Sequence, residues 1–135
     1  MRDEDREQID RVVAAAREVR ERAYAPYSRF LVGSAVLAGG RVFTGVNVEN
    51  ASYPMTMCAE RNAVAAAVAA GERAIDCVAV VTDERRPTPP CGGCRQVLWE
   101  FGPSSLVVAE STTGPRSMWA LEDLLPEAFG PDDLP

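Results

Sequence analysis

Near the start of the chain, Ile9, Val12, Val13, Ala16, Val19 and Ala23 recur at helical spacing with Arg and Glu between them, which predicts an amphipathic helix over residues 8–23. Pro26, in "YAPYSRF", ends that pattern, because proline cannot continue a helix and restricts the residue before it. Two runs rich in Val, Leu and Phe follow, Phe30 to Leu37 and Arg41 to Val48. Gly39 and Gly40 between them can take the positive φ of a tight turn, so the pair reads as a β-hairpin.

After the polar loop "NVENASYP", residues 58–70 are nearly all alanine and valine and close on Gly71, which predicts a helix with little polar surface and therefore a buried one. "AIDCVAVVT", residues 74–82, has strand length and β-branched composition. A Pro-rich loop, a helix from Cys91 to Phe101 and the strand "SLVVAE" come next; residues 121–129 read as a short helical piece broken by Pro126. Strands alternating with helices favour parallel neighbours after the antiparallel hairpin. The expected architecture is a three-layer α/β/α sandwich around a mixed sheet of about five strands.

Composition narrows the setting. At 135 residues and 47% hydrophobic, the chain is expected to form one domain, residues 1–135, with its own core. Four cysteines at 58, 77, 91 and 94 are too few and too uneven for a disulfide framework, and the acidic start "MRDEDREQID" is not a signal peptide. With no run of 18 apolar residues, the expected location is cytoplasmic, without membrane association. The net charge of −6, with arginine as the sole basic residue type, lacks the general attraction that supports nucleic-acid binding. A small uncharged partner fits better.

The candidate chemistry lies in the cysteines. "PPCGGC", residues 89–94, opens a helix after a loop, a setting shared by thioredoxin-like redox pairs and metal sites, and by itself it does not choose between them. Cys58 opens the other helix and is followed at once by Ala59 and Glu60. Three thiolates suffice for a zinc ion whose fourth position is open to water, and a carboxylate two residues after a ligand can face that position as a proton carrier. Zinc with three thiolates carries a net charge of −1, so a cation is expected nearby; Arg61 and Arg95, each adjacent to the motif residues, are the candidates for bonding the sulfurs. Cys77 sits inside a strand and reads as a core residue.

"CAE" followed by "PCGGC" resembles the zinc-dependent nucleoside deaminases, and cysteine as the first ligand points to the small cytidine deaminases. "AYAPYSRFLVG", "GVNVENASY", "CAERNA", "PCGGCRQVLWEF" and "LLPEAFG" resemble that family's blocks in its order, from about Ala23 to Phe129. The resemblance implies one zinc per subunit held by Cys58, Cys91 and Cys94, with Glu60 shuttling protons as cytidine or 2'-deoxycytidine is hydrolysed at C4 to the uridine counterpart in pyrimidine salvage. It further implies that Asn47 and Glu49 bind the ribose hydroxyls, that Phe30 lines the nucleoside pocket, and that the backbone N–H of Ala59 contacts the base. The chain would be a homotetramer in which Phe129 of a neighbouring subunit stacks on the pyrimidine and Tyr53 lies at the interface. Pro89, where the family has serine, and "PMT" at residues 54–56, in place of a glycine-containing stretch, depart from its pattern beside the pocket.

Three rival readings make distinct demands. A deaminase of another aminated pyrimidine nucleoside, of the blasticidin type, would share the site and differ in substrate. A thiol-disulfide oxidoreductase would need neither Cys58 nor Glu60. A zinc-ribbon-like binding module would need a fourth ligand, which Cys77 in a strand and a chain without histidine do not supply. No basic cluster in "NVENASY" is available to hold a phosphate, which favours a nucleoside over a nucleotide.

Overall fold

The computed structural model describes residues 1–83 and 85–135. Helix α1 spans Asp3–Arg20, the hairpin is β1 (Gly33–Ala38) and β2 (Arg41–Val46), and α2 (Ala59–Ala69) leads into β3 (Ile75–Thr82). Helix α3 (Gly92–Phe101), β4 (Leu106–Ser111), β5 (Arg116–Ala120) and the short α4 (Leu121–Leu124) complete the layers. The sheet has five strands in the order β2-β1-β3-β4-β5.

Among the described residues, only β3 and β4 pair as parallel strands; β1 pairs antiparallel with both β2 and β3, and β5 antiparallel with β4. The expected run of parallel neighbours is thus a single pair. The crossover through α3 requires parallel strands there, whereas β4 and β5 are joined by a short turn that reverses the chain. Helix α1 begins earlier than its apolar spacing suggested, because Asp3, Glu4 and Asp5 favour its positive end, and it stops at Arg20 rather than Ala23.

Strand parity divides the core. Ala35, Leu37, Cys77, Ala79 and Val81 meet Ile9, Val12, Val13 and Ala16 of α1 on one face. Val36, Ala38, Val78 and Val107 meet Ala63, Val64, Ala67, Leu98 and Leu121 on the other. Strand β1 is buried along its whole length, as covering on both faces demands, and Cys77 is a core residue as expected. Helix α2, expected to be wholly buried, hides one face only; Ala65 and Ala69 are exposed.

Hairpin geometry sets where the loops emerge. Gly39 and Gly40 have φ of 59° and 75°, forming a two-residue turn that pairs Ala38 with Arg41 and brings Val46 opposite Gly33. Gly33 also lies opposite Val81, near the end of β3. The segments before β1, after β2 and after β3 therefore leave the sheet at one end, where α2 and α3 begin.

Candidate zinc and nucleoside site

Both cysteine motifs cap helices. Cys58 is the N-cap of α2 and Cys91 that of α3, each in extended backbone conformation, so their sulfurs sit at the positive ends of two helices that pack side by side. Cys94, one turn into α3, is fully buried. The Sγ atoms of Cys58, Cys91 and Cys94 all lie within 4.8 Å of one another, and those of Cys91 and Cys94 are 3.4 Å apart. Sulfurs around tetrahedral zinc, with Zn–S near 2.3 Å, stand about 3.8 Å apart, so this donor set fits one zinc ion with a fourth position left over. All four cysteines are free thiols.

Charge is arranged around the sulfurs. Arg61 Nη2 donates to the Thr56 carbonyl at 3.3 Å and approaches Cys58 Sγ at 3.4 Å. Its Nε is buried and, among the described residues, without an acceptor. Arg95 turns elsewhere: Nε donates to the Pro90 carbonyl at 2.7 Å and Nη1 to that of Leu124 at 2.8 Å, bracing the loop before Cys91 against the end of α4. The hydrogen bond from the Cys94 thiol, followed by that from Arg61, holds the Cys58 thiol well below its ordinary pKa; the bond to Cys58 holds Cys94 above it. Burial, with the Cys58 thiolate adding to it, pushes the Glu60 carboxyl up to about 7.

Beside the sulfurs opens a cavity of about 220 Å³. Cys58, Cys91 and Glu60 share its wall with Phe30, Asn47 and Ala59, all expected at the site. Glu60 is 6% exposed, so its carboxyl has little access to bulk water. Asn47 is braced against backbone by half of its amide's capacity: one Nδ2 hydrogen donates to the Phe30 carbonyl at 2.7 Å and Oδ1 accepts from Val32 N–H at 2.9 Å. Glu49 lies outside this cavity, in an adjoining hollow that it shares with Tyr27, Ser28 and Tyr53. Thr56 borders both. Hydrogen bonds from Ser28 and Tyr27 hold the Glu49 carboxyl below its usual value.

Phe129 and Tyr53, expected to act across a subunit contact, lie outside the cavity of their own chain. Phe129 is 58% exposed, its carbonyl accepting from Gln96 Nε2, and Tyr53 is 70% exposed, edge-on to Tyr27 with centroids 5.9 Å apart. The cavity wall also includes Val80, Thr82 and Thr88, which sequence reasoning did not single out. Thr82 Oγ1 donates to Thr88 Oγ1 at 3.1 Å. Thr82 shares strand parity with Val80 at the carboxyl end of β3, the one signal that could have placed it here.

The family model "Cytidine and deoxycytidylate deaminase zinc-binding region" matches residues 6–110. A cytidine deaminase of Halalkalibacterium halodurans is 45% identical over 125 residues, 91% of this chain and 95% of the relative. One from Mycobacterium tuberculosis is 50% identical over 114 residues, 84% of this chain and 83% of the relative. Among solved structures, the cytidine deaminase of Burkholderia pseudomallei superposes with a TM-score of 0.86 at 47% identity, covering 89% of this chain and 98% of the other.

Proposed function

The chain belongs to the cytidine and deoxycytidylate deaminase family, and from that premise we propose that it is a zinc-dependent hydrolase converting cytidine and 2'-deoxycytidine to uridine and 2'-deoxyuridine. The observation that carries this reading is a buried carboxyl, Glu60, in the same cavity wall as two of three clustered cysteine sulfurs. Neither a redox pair nor a closed structural zinc has a use for that carboxyl.

In this reading Cys58, Cys91 and Cys94 hold the ion. Bound zinc supplies Lewis acidity that makes water a competent nucleophile at neutral pH. Glu60, which the first turn of α2 sets in the cavity wall, takes a proton from the attacking water and passes it to N3 of the cytosine ring as oxygen adds at C4. It then takes the proton of the new C4 hydroxyl and passes it to the amino group, which leaves as ammonia as the C4–N bond breaks and the C4 carbonyl forms. The Ala59 N–H contacts the base, Phe30 packs against the nucleoside, and Asn47 and Glu49 serve the ribose side. Arg61 offsets the excess negative charge of three thiolates, with Arg95 bracing the loop that carries Cys91.

We read residues 1–135 as one domain acting in cytoplasmic pyrimidine salvage, and the working form as a homotetramer. Tyr24, Tyr27, Tyr53, Met55, Met57 and Phe129 are exposed, large side chains that a contact between subunits would cover. That exposure supports completion of each cavity by Phe129 from a neighbouring subunit, with Tyr53 at the contact.

The decisive assay follows the ultraviolet absorbance of cytidine incubated with zinc-replete wild type and with Glu60→Gln. Wild type is expected to form uridine, and the variant to lose roughly 10²–10⁴-fold in kcat while keeping its zinc by metal analysis. A folded, zinc-loaded wild type that leaves cytidine and 2'-deoxycytidine unchanged would refute the assignment.

A further inference from the structure

Five hydrogen bonds tie the segment before β1 to the side chains of Glu49 and Asn47 after β2, and two more brace the same segment. Glu49 Oε1 accepts the N–H groups of Tyr27 and Ser28 at 3.0 and 3.1 Å, and Oε2 accepts the Ser28 hydroxyl in a short contact. The same Ser28 oxygen accepts the Phe30 N–H at 3.0 Å. On the other side of Phe30, Asn47 takes its carbonyl and the Val32 N–H, at 2.7 and 2.9 Å. Asn47 N–H completes the set on the Val32 carbonyl at 3.4 Å. Both backbone polar groups of Phe30 are thus held by side chains, one of them through a single serine hydroxyl.

The residue between Ser28 and Phe30 is unusual. Arg29 has φ of 60°, a left-handed conformation uncommon outside glycine, and its own N–H is tied to the Ala25 carbonyl at 2.9 Å. Such a conformation persists only when its surroundings over-determine it, and here the Ser28 hydroxyl is one of the restraints. Turning the chain at Arg29 is what lets Phe30 join the cavity wall while Ser28 and Glu49 remain in the adjoining hollow.

We propose that Ser28 is a positioning residue for the nucleoside: its hydroxyl links the Glu49 carboxylate on the sugar side to the Phe30 backbone on the base side, so that the two halves of the substrate are gripped in one register. The inference rests on the deaminase reading of this site. Bonding from Ser28 also favours the ionised form of Glu49, which keeps that group an acceptor for a sugar hydroxyl. Without the Ser28 hydroxyl, Phe30 N–H loses its acceptor, Glu49 Oε2 loses its local donor, and the turn at Arg29 loses one of its restraints. Because Phe30 and Glu49 hold substrate and transition state alike, the loss appears in binding rather than in the chemical step.

Ser28 is exposed, so Ser28→Ala is expected to fold and bind zinc as wild type does. The test measures KM and kcat for cytidine in wild type, Ser28→Ala and Ser28→Thr, together with exchange of the Phe30 amide by NMR. Ser28→Ala should raise KM on the order of tenfold with kcat within about twofold, and should speed Phe30 amide exchange; Ser28→Thr, which restores the hydroxyl, should recover both. A residue that merely stabilised the fold would instead lower the melting temperature and the active fraction at unchanged KM. That pattern, or a Phe30 amide whose exchange is the same in Ser28→Ala as in wild type, overturns the proposal. If wild type fails to deaminate cytidine, the deaminase reading falls by itself, and the amide exchange still decides whether the relay exists.

Discussion

Two arginines follow the cysteine motifs in sequence, and their surroundings assign them different work. Arg61 is on the first turn of α2, where its guanidinium reaches back along the helix to Cys58 Sγ and the Thr56 carbonyl. Arg95 is drawn away by carbonyls at Pro90 and Leu124. Replacing Arg61 with Gln leaves three thiolates without their countercharge, and zinc affinity is expected to fall roughly 10- to 100-fold, measured by competition with a chromophoric chelator. An unchanged affinity would show that the helix N-termini alone supply the compensation. The need for a cation was legible from charge arithmetic on three cysteines. Which arginine meets it depends on α4, whose Leu124 is 29 residues beyond Arg95 in the chain.

At the scale of elements, a close approach between β2 and α2 positions the start of the helix that carries Cys58 and Glu60. A Cβ on Gly45 would stand 2.4 Å from the Ala63 backbone nitrogen and 2.5 Å from the Ala59 carbonyl oxygen, both backbone atoms that cannot step aside. Gly45→Ala must therefore push α2 off the sheet and carry Cys58 and Glu60 with it. The expected cost is about 1–3 kcal/mol, read as a lowered melting temperature, with zinc retention and deamination weakened together. Normal zinc binding and activity in a destabilised variant would show that the helix start is held independently of its packing on β2. Element types were readable from periodicity and punctuation: Gly71, with φ of 97°, ends α2 for a local reason, whereas α1 stops at Arg20, short of Pro26. Strand β5 had no such signal. Arg116–Ala120 is a short edge strand with a mixed, half-exposed pattern, and it becomes a strand because β4 offers it an unpaired edge. Residues 30–32, which carry strand-like apolar side chains, leave the ladder for the opposite reason: Asn47 and Ser28 take up their backbone groups.

At the scale of the whole molecule, Ala65 and Ala69 of α2 are exposed, as are Tyr27, Tyr53, Met55 and Met57 in the loops before β1 and α2. Sedimentation equilibrium of the zinc-loaded protein at micromolar concentration is expected to give four chain masses, and Phe129→Ala to keep that fold while losing nucleoside affinity. A monomeric mass with full activity would refute shared sites. What the sequence by itself determined is the chemistry and the layer order: three thiols and a carboxylate at two helix starts, apolar faces of period two and period three to four, and a hairpin turn at Gly39–Gly40. Those are local properties of residue type and spacing. What the tertiary structure alone decided is convergence. Because β1 is antiparallel to both β2 and β3, the segments at Phe30, at Asn47 and Glu49, and at Thr88 to Cys91 emerge from one end of the sheet. The parity of β3 adds Thr82 to the same wall, and the left-handed turn at Arg29 brings Phe30 to it. No window of sequence contains that meeting, since it depends on pairings between strands far apart in the chain.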